Sequence, residues 1–197
     1  VWAITDDYGL MFMESVKTKD TSSITGRTID LMRTHNIPPE KVAFDAGGGG
    51  KQHADRLRSQ GYKVQAVAFG SAATAPRRRG QATIGTRNLQ DETRYVYKNR
   101  RAEMYGMLSL RLDPTHEKGF AIEKDKYTEL RRQLSVIPKR WDAEGRLVML
   151  PKRKNTTNST EETLTDLIGC SPDEADATVL AVFMMDNKMK KIKLTVG

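Results

Sequence analysis

The residues with the clearest chemical potential lie between Asp45 and Lys51, where an aspartate and Ala46 precede four glycines and a lysine. A glycine-rich turn that ends in lysine can cradle phosphate groups, as it does in P-loop nucleotide sites. The P-loop pattern requires glycine at position 45 and a hydroxyl residue after the lysine, but this chain has Asp45 and Gln52 there. A carboxylate at that point would also repel a dinucleotide's pyrophosphate. The pattern therefore argues against a nucleotide site.

Asp45 is the stronger candidate, because it stands near the end of the short apolar segment Lys41–Ala46, which is predicted to form a buried strand. Open α/β sheets bind their ligands at the carboxyl ends of such strands. Mg²⁺ is held by one or two carboxylates together with water and phosphate oxygens. Glycines without side chains leave room for a bulky backbone beside such a site. We predict that Asp45 binds a metal that meets phosphate; the alternative is that Asp45 caps the following helix.

A second group of acids lies in the segment 171–180, where Asp173 and Asp176 are spaced to share one face of a helix. Acids in the first turn of a helix stabilise its dipole, and this accounts well for Asp173 and Glu174. It accounts less well for Asp176, which stands between two alanines at the edge of an apolar face. We therefore predict that Asp176 is a metal ligand and that Asp173 assists it.

The elements that must position these acids alternate along the chain. The pattern predicts a hairpin at 1–13, with Asp6 and Asp7 in its turn, and then alternating helices and strands to Gly70. Helices, a second hairpin around Glu144 and a closing helix from Ser171 follow. Helix–strand alternation implies parallel pairing through right-handed crossovers. The predicted fold is α/β, with a mixed β-sheet flanked by helices on both faces.

The overall charge favours a polyanionic partner. The chain has 197 residues, with 33 Lys and Arg against 25 Asp and Glu, which gives a net charge of +8. The single Cys170 cannot form an internal disulfide, and no apolar run approaches the ~18 residues of a membrane span. Each basic residue could also be an ordinary solvated charge. The candidates for nucleic-acid contacts are Lys51, Arg77, Arg78, Arg79, Arg100, Arg101, Lys152, Arg153 and Lys154.

Three segments carry a family resemblance: VAFDAGGGGKQHADRLRSQGYKVQAVAFG from Val42, YKNRRAEMYGML from Tyr97 and GCSPDEADATVLAVF from Gly169. In this order they resemble the nuclease domain of bacteriophage or prophage terminase large subunits, over about 1–185. The resemblance implies an RNase H-like fold in which three acids hold two divalent ions, Mg²⁺ or Mn²⁺. It implies an endonuclease that cuts concatemeric viral DNA during packaging, with Asp45 as the middle acid, Asp176 as the last and Asp173 as a helper.

The first acid of that family stands on an opening strand. Either that strand lies before Val1, or 1–6 is itself the strand and Asp6 is the acid; Asp6 falls in the turn of the predicted hairpin, which favours the first alternative. We therefore expect 1–197 to be a single nuclease domain that lacks its first strand and an upstream ATPase domain. The resemblance implies double-stranded DNA, a small terminase subunit and a portal ring as partners. It implies the cytoplasm of an infected or lysogenic bacterium as the location, with no membrane.

Two other interpretations stay open. The chain could be another RNase H-like nuclease of the resolvase or transposase type, because the opening hairpin and the acidic closing helix fit those enzymes too. It could also be a non-catalytic module that binds DNA or docks onto a portal, with structural carboxylates. The helix that contains NRRAEMY, from Asn99, favours the terminase type.

Overall fold

The computed structural model describes residues 1–18, 20–74, 95–115, 119–154 and 160–186. A short 3₁₀ helix, Pro39–Lys41, precedes the second pair of strands. None of the described helices combines the length and hydropathy that a bilayer crossing requires. The strands are β1 Trp2–Thr5, β2 Leu10–Glu14, β3 Ala43–Asp45, β4 Gln65–Val67, β5 Arg140–Trp141 and β6 Leu147–Val148. The helices are α1 Thr21–Thr34, α2 Gly50–Ser59, α3 Arg100–Arg111, α4 Thr128–Ser135, α5 Leu164–Ile168 and α6 Asp173–Asp186.

Short polar side chains begin several of these helices. The Asp20 carboxylate accepts a hydrogen bond from the Ser22 backbone N–H and so caps α1. Asn99 caps α3 by accepting from the Ala102 N–H. Thr163 begins α5 with a reciprocal capping box. The Asn99 cap fixes the start of α3, whose first turns carry Arg101 and Tyr105.

The strands form three two-stranded sheets. The hairpin β1–β2 pairs Ala3 with Met13, and the parallel pair β3–β4 matches Phe44 with Ala66. The second hairpin, β5–β6, lies apart from both. Mixed α/β architecture is confirmed, but no hydrogen-bonded ladder joins β1 to β3 among the described residues. The mixed sheet predicted from the sequence is therefore divided into separate pairs of strands among the described residues.

Helices cover both faces of the strands. On one face, the Trp2 indole donates to Thr28 of α1, and Phe44 packs with Leu57 of α2. On the other, Ala3 and Ala43 pack against the main core, which α3, α4 and α6 supply. Side chains alternate between the faces of a strand, so this division follows from the sequence pattern. The layers place the first turn of α6 near the acidic end of β3.

Candidate functional site

The acids predicted as metal ligands share one cavity. It has a volume of about 690 Å³ and is lined in part by Asp45 from the end of β3 and by Asp173 and Asp176 from the first turn of α6. The Lys152 side chain, which follows the β5–β6 hairpin, lines it as well. The fold thus brings together residues that are more than a hundred positions apart in the sequence.

Asp176 is a buried carboxylate with three donors. Its residue is 7% exposed, and the Tyr105 hydroxyl donates to Oδ1 over 2.7 Å. Arg101 Nη2 donates to the same oxygen over 3.0 Å, and Lys152 Nζ lies 3.3 Å from Oδ2. A charge in an apolar layer is tolerated only when it is paired and hydrogen-bonded. The carboxylate is therefore fixed, with Oδ1 held by α3 and Oδ2 shared between Lys152 and Arg101, whose Nη2 lies 3.4 Å away.

Asp173 shares the same ammonium. Lys152 Nζ donates to Asp173 Oδ1 over 2.8 Å, so one cation bridges the two acids of α6. Burial raises the pKa of Asp173, but the hydrogen bonds from Lys152 and Ser171 outweigh it and leave the pKa below its ordinary value. The carboxylates of Asp173 and Asp176 thus already bind one positive charge, the Lys152 ammonium.

The donors to Asp176 hold their protons firmly. Burial and then the Asp176 charge raise the pKa of the Tyr105 phenol well above its ordinary value. Burial lowers the pKa of Arg101, but the charge and hydrogen bond of Asp176 outweigh that and raise it overall. Tyr105 therefore stays a neutral donor and Arg101 a cation across the physiological range.

Asp45 has a different environment. Its Oδ1 accepts a hydrogen bond from the Gly47 N–H over 3.0 Å, and that contact closes the turn after β3. No side chain caps α2, whose N-cap residue is Gly49. The alternative that Asp45 caps the helix is therefore wrong: its carboxylate bonds a turn amide three residues before α2 begins.

The glycines build this turn through backbone geometry. Gly48 and Gly49 have φ values of 56° and 94°, which non-glycine residues rarely adopt. A Cβ on Gly50 would lie 1.9 Å from the Asp45 carbonyl oxygen, so the start of α2 approaches the strand closely. The glycine run positions Asp45 beside α2.

The cavity is not a preformed metal cluster. Within the described ranges, no group of three or more His, Cys, Asp or Glu side chains lies close enough to hold an ion. Asp45 lines the cavity with Asp173 and Asp176, but it does not join their hydrogen-bonded group with Lys152. The roles of all three as ligands stay predictions.

The basic candidates divide by exposure. The Arg101 side chain is 11% exposed and pairs with Asp176. Arg100 donates to the Ala72 carbonyl and lies over the Phe183 ring, with 21% of its side chain exposed. Lys152 is engaged by the acids, whereas Lys51, Arg153 and Lys154 are exposed. Arg77, Arg78 and Arg79 lie outside the described residues.

Tyr105 is the site residue that the sequence analysis missed. It follows Arg101 by one helical turn, so both side chains leave the same face of α3. A buried Asp176 on an apolar helix requires donors from a neighbouring element. That requirement, together with the spacing of Arg101 and Tyr105, is the signal that points to α3.

Comparisons with known proteins bear on the fold. No protein-family model and no curated protein sequence matches the chain. A solved structure of the nuclease domain of the large terminase subunit gp2 of bacterial virus Sf6, with manganese and beta-thujaplicinol, is similar. The TM-score is 0.54 and the identity 17%, over 89% of this chain and 78% of that one. The resemblance predicted from the sequence is thus confirmed at the level of the fold.

Proposed function

We propose that the chain is a metal-dependent DNA endonuclease with an RNase H-like fold, which cuts concatemeric viral DNA during genome packaging. The observation that carries the proposal is the shared ammonium: Asp173 and Asp176 jointly hold Lys152 in a cavity that Asp45 also lines. The fold similarity to a terminase nuclease domain, a structure solved with manganese, supports the same conclusion.

The donor set fits divalent ions. Asp45, Asp173 and Asp176 offer carboxylate oxygens, the ligands preferred by Mg²⁺ and Mn²⁺. The position of Lys152 between two of them supports a site with strongly negative potential. Divalent ions bound there would polarise a phosphodiester and lower the pKa of bound water. In this proposal these three acids hold two such ions.

The chain's own residues supply orientation. Tyr105 and Arg101 both donate to Oδ1 of Asp176, and Arg101 also reaches Oδ2 over 3.4 Å, which Oδ2 shares with Lys152. Such preorganisation lowers the cost of gathering ligands around a cation. Lys152 balances the acids and is the group that an incoming divalent ion must displace or share. Asp45 lines the same cavity from a different element, the end of β3.

Exposed cations provide the DNA contacts in this proposal. Lys51, Arg153 and Lys154 are exposed, and the two last follow Lys152 directly. Arg77, Arg78 and Arg79 stay candidates from the sequence alone. Contacts with phosphates position a duplex without reading its bases, so we expect low sequence specificity. Arg100 and Arg101 instead act through packing and through Asp176.

The remaining parts of the proposal come from the family. We propose that 1–197 is one nuclease domain, preceded in the full protein by its first strand and an ATPase motor domain. Its partners would be double-stranded DNA, a small terminase subunit and a portal ring, in the bacterial cytoplasm.

One observation favours a second candidate function. Among the described residues the three acids do not form a closed cluster. A non-catalytic module that binds DNA or a portal would be compatible with acids that only pair with Lys152.

Plasmid cleavage separates the two functions. The chain, extended upstream by the residues that its gene encodes, is incubated with supercoiled plasmid and Mn²⁺ or Mg²⁺. We expect nicking and linearisation that Asp45→Ala and Asp176→Ala each abolish, while Asp55→Ala, an exposed carboxylate on α2, leaves cleavage unchanged. If Asp45→Ala and Asp176→Ala cut like the parent, the proposed nuclease site is wrong.

A further inference from the structure

A second cavity lies in the described part of the chain, and its lining residues all differ from those of the cavity that holds the acids. Its volume is about 370 Å³, and its walls come from α3, the end of α4 and β6. Tyr105 connects the two cavities, because it lines the second while its hydroxyl donates to Asp176, which lines the first. The nuclease site proposed above leaves the second cavity without a role.

The walls of the second cavity suit a flat ring with a polar edge. Its lining includes the apolar Leu108 and Leu134, the aromatic Tyr95, and the polar Ser109 and Asp113. Ligand sites combine mainly apolar and aromatic walls with a few polar groups, in volumes of about 300–1,000 Å³. A nucleobase has the matching chemistry, with flat faces for stacking and donors and acceptors along its edge.

Tyr95 belongs both to this cavity and to a group of aromatic rings at the β5–β6 hairpin. Leu147 of β6 pairs with Trp141 of β5 on one side and forms a bridge with Tyr97 on the other. Residues directly opposite each other in a sheet share a face, and so do residues two apart in a strand. Trp141, Tyr97 and Tyr95 therefore lie on one face. The Tyr95 ring centroid is 6.4 Å from each of the other two.

Exposure rises from the inside of this aromatic group to its outside. Tyr97 is 5% exposed, Tyr95 is half-buried and Trp141 is 52% exposed. Apolar residues that are exposed singly are normal on protein surfaces. Trp141, however, extends a packed group of rings toward solvent beside a residue of the cavity. About half of the Trp141 surface is thus available to a ligand that also reaches the cavity.

A lysine adds positive charge at the same place. Lys139 is exposed and lines the cavity, and its Nζ lies 5.8 Å from the centroid of the Tyr95 ring. The acids of the hairpin turn, Asp142 and Glu144, both pair with Arg146. Lys139 has no acidic partner among the described residues. The aromatic group therefore keeps an uncompensated cation, which favours an anionic ligand, as does the net charge of +8.

Aromatic rings beside a cation are the contacts by which proteins bind single-stranded nucleic acid. Successive bases stack on the rings, and cations follow the phosphates of the backbone. Inside a duplex the bases are paired and stacked on one another, so that their faces are not accessible to such rings. The ligand that matches the rings, the cavity and the lysine together is a strand with unpaired bases.

We propose that the second cavity, together with Trp141 and Lys139, binds unpaired bases of single-stranded DNA. One base stacks on Trp141, a neighbouring base enters the cavity beside Tyr95, and Lys139 contacts a phosphate of the backbone. The proposal rests on the proposed function only in taking DNA as the partner, and it requires neither metal ions nor cleavage. Tyr105 would place these bases next to the acids.

Binding measured without metal tests the proposal, because cleavage then makes no contribution. A labelled oligothymidine strand, or a duplex of the same length, is titrated with the chain 1–197 in EDTA and followed by fluorescence anisotropy. We expect Trp141→Ala to weaken single-strand binding at least about fivefold and to leave duplex binding unchanged. Trp141→Phe keeps a ring and should retain most of the affinity. Tyr8→Ala, at an exposed ring in the first hairpin, is the matched control.

The salt dependence of single-strand binding separates stacking from charge. Each phosphate contact contributes about 0.7 to the slope of log K against log salt concentration for a single strand. We expect Lys139→Ala to reduce this slope by about that amount, whereas Trp141→Ala lowers the affinity at an unchanged slope. A slope that stays the same in Lys139→Ala would contradict the phosphate contact.

A pair of variants tests the cavity itself. Ser109 lines it from α3, so Ser109→Leu fills part of its volume while Ser109→Ala leaves it open, and both substitutions suit a helix. We expect Ser109→Leu to weaken single-strand binding about as much as Trp141→Ala does, and Ser109→Ala to bind like the parent. Parental affinity in Ser109→Leu would contradict the entry of a base into the cavity.

Two further results would overturn the proposal. Trp141→Ala could bind the single strand like the parent, or it could weaken duplex and single strand equally, which would assign Trp141 to a general DNA surface. The outcome is distinct from that of the nuclease test. Without plasmid cleavage the nuclease function fails and this site can still bind, whereas unchanged binding in Trp141→Ala removes this site and leaves the nuclease function untouched.

Discussion

The Asp176 carboxylate is the residue on which the site depends. It lies on an apolar helix, and its charge is tolerated because Tyr105, Arg101 and Lys152 surround it. Each donor comes from outside α6, so the carboxylate also ties α6 to α3 and to the segment after β6. We therefore expect changes at this residue or its donors to affect both stability and the affinity of the proposed metal site for cations.

Removing the Tyr105 hydroxyl tests this double role. Tyr105→Phe keeps the ring but deletes a hydrogen bond to a buried charge, so we expect the free energy of unfolding to fall by about 1.5–3 kcal/mol. We also expect weaker Mn²⁺ binding, because Asp176 loses one of the contacts that orient it. Urea unfolding and calorimetry measure the two effects, and Tyr8→Phe, at an exposed ring, is the matched control.

Lys152 competes for the acids in the proposed metal site. In Lys152→Ala the ammonium that bridges Asp173 and Asp176 is gone, so a divalent ion no longer competes with it, although Arg101 still pairs with Asp176. We expect Mn²⁺ to bind about threefold more tightly by calorimetry, a difference of about 0.65 kcal/mol. Lys154→Ala, at an exposed lysine nearby, should leave the affinity unchanged. Weaker binding in Lys152→Ala would argue that the lysine supports the site.

The lowered pKa of Asp173 makes the free energy of unfolding depend on pH. Its pKa in the folded protein lies below the ordinary 3.8, so its contribution to stability is present above 3.8 and is lost as the pH falls through the folded value. Asp173→Asn should therefore lower the free energy of unfolding at pH 6, and the difference from the parent should shrink below about pH 4. Urea titrations across this range would contradict the account if the difference stayed constant.

The sequence identifies the acids better than the basic residues. Asp45 and Asp176 stand out by their neighbours, a glycine turn and an apolar helix face, and the fold places both in one cavity. Arg101 looks like a surface cation because the sequence does not reveal that Asp176, in a distant helix, lies opposite it. Its side chain is 11% exposed, since the charge of Asp176 lies in the facing helix.

At the scale of elements, two contacts place the acids. The Gly47–Gly50 turn follows Asp45 at the end of β3, and Asp45 lines the cavity. The Gln133 side chain of α4 accepts a hydrogen bond from the Ala175 N–H in the first turn of α6. The helices and hairpins follow closely from periodicity and turn residues. Their boundaries depend on caps such as Asp20, which the sequence alone leaves among several polar neighbours.

The close approach at Gly50 leads to a prediction with a built-in control. In Gly50→Ala a Cβ would lie 1.9 Å from the Asp45 carbonyl oxygen, so the turn must shift, and we expect a loss of at least about 2 kcal/mol in unfolding free energy. Gly26→Ala, in α1 with open space around it, should stabilise by about 0.5–1 kcal/mol. Equal effects of the two substitutions in urea unfolding would contradict the proposed packing.

At the scale of the whole molecule, the layers match the predicted α/β class, but the strands pair only two by two among the described residues. Local patterns predict a strand, whereas its partner depends on residues that are distant in the chain. The periodicity of the sequence therefore does not predict that β1 and β3 belong to separate pairs of strands. Asp45 and α6 are also far apart in the chain, so only the family resemblance predicts that they share one site.

The central claim is that Asp45 and Asp176, which line one cavity from the end of β3 and the first turn of α6, belong to a single site for divalent ions. Calorimetric titration of the chain with Mn²⁺ tests it most directly, with Asp45→Asn, Asp176→Asn and the exposed control Asp55→Asn. The account predicts that each cavity variant weakens binding at least about tenfold, or ~1.4 kcal/mol, while Asp55→Asn binds like the parent. Parental Mn²⁺ affinity in either cavity variant, with the fold intact, would contradict the account.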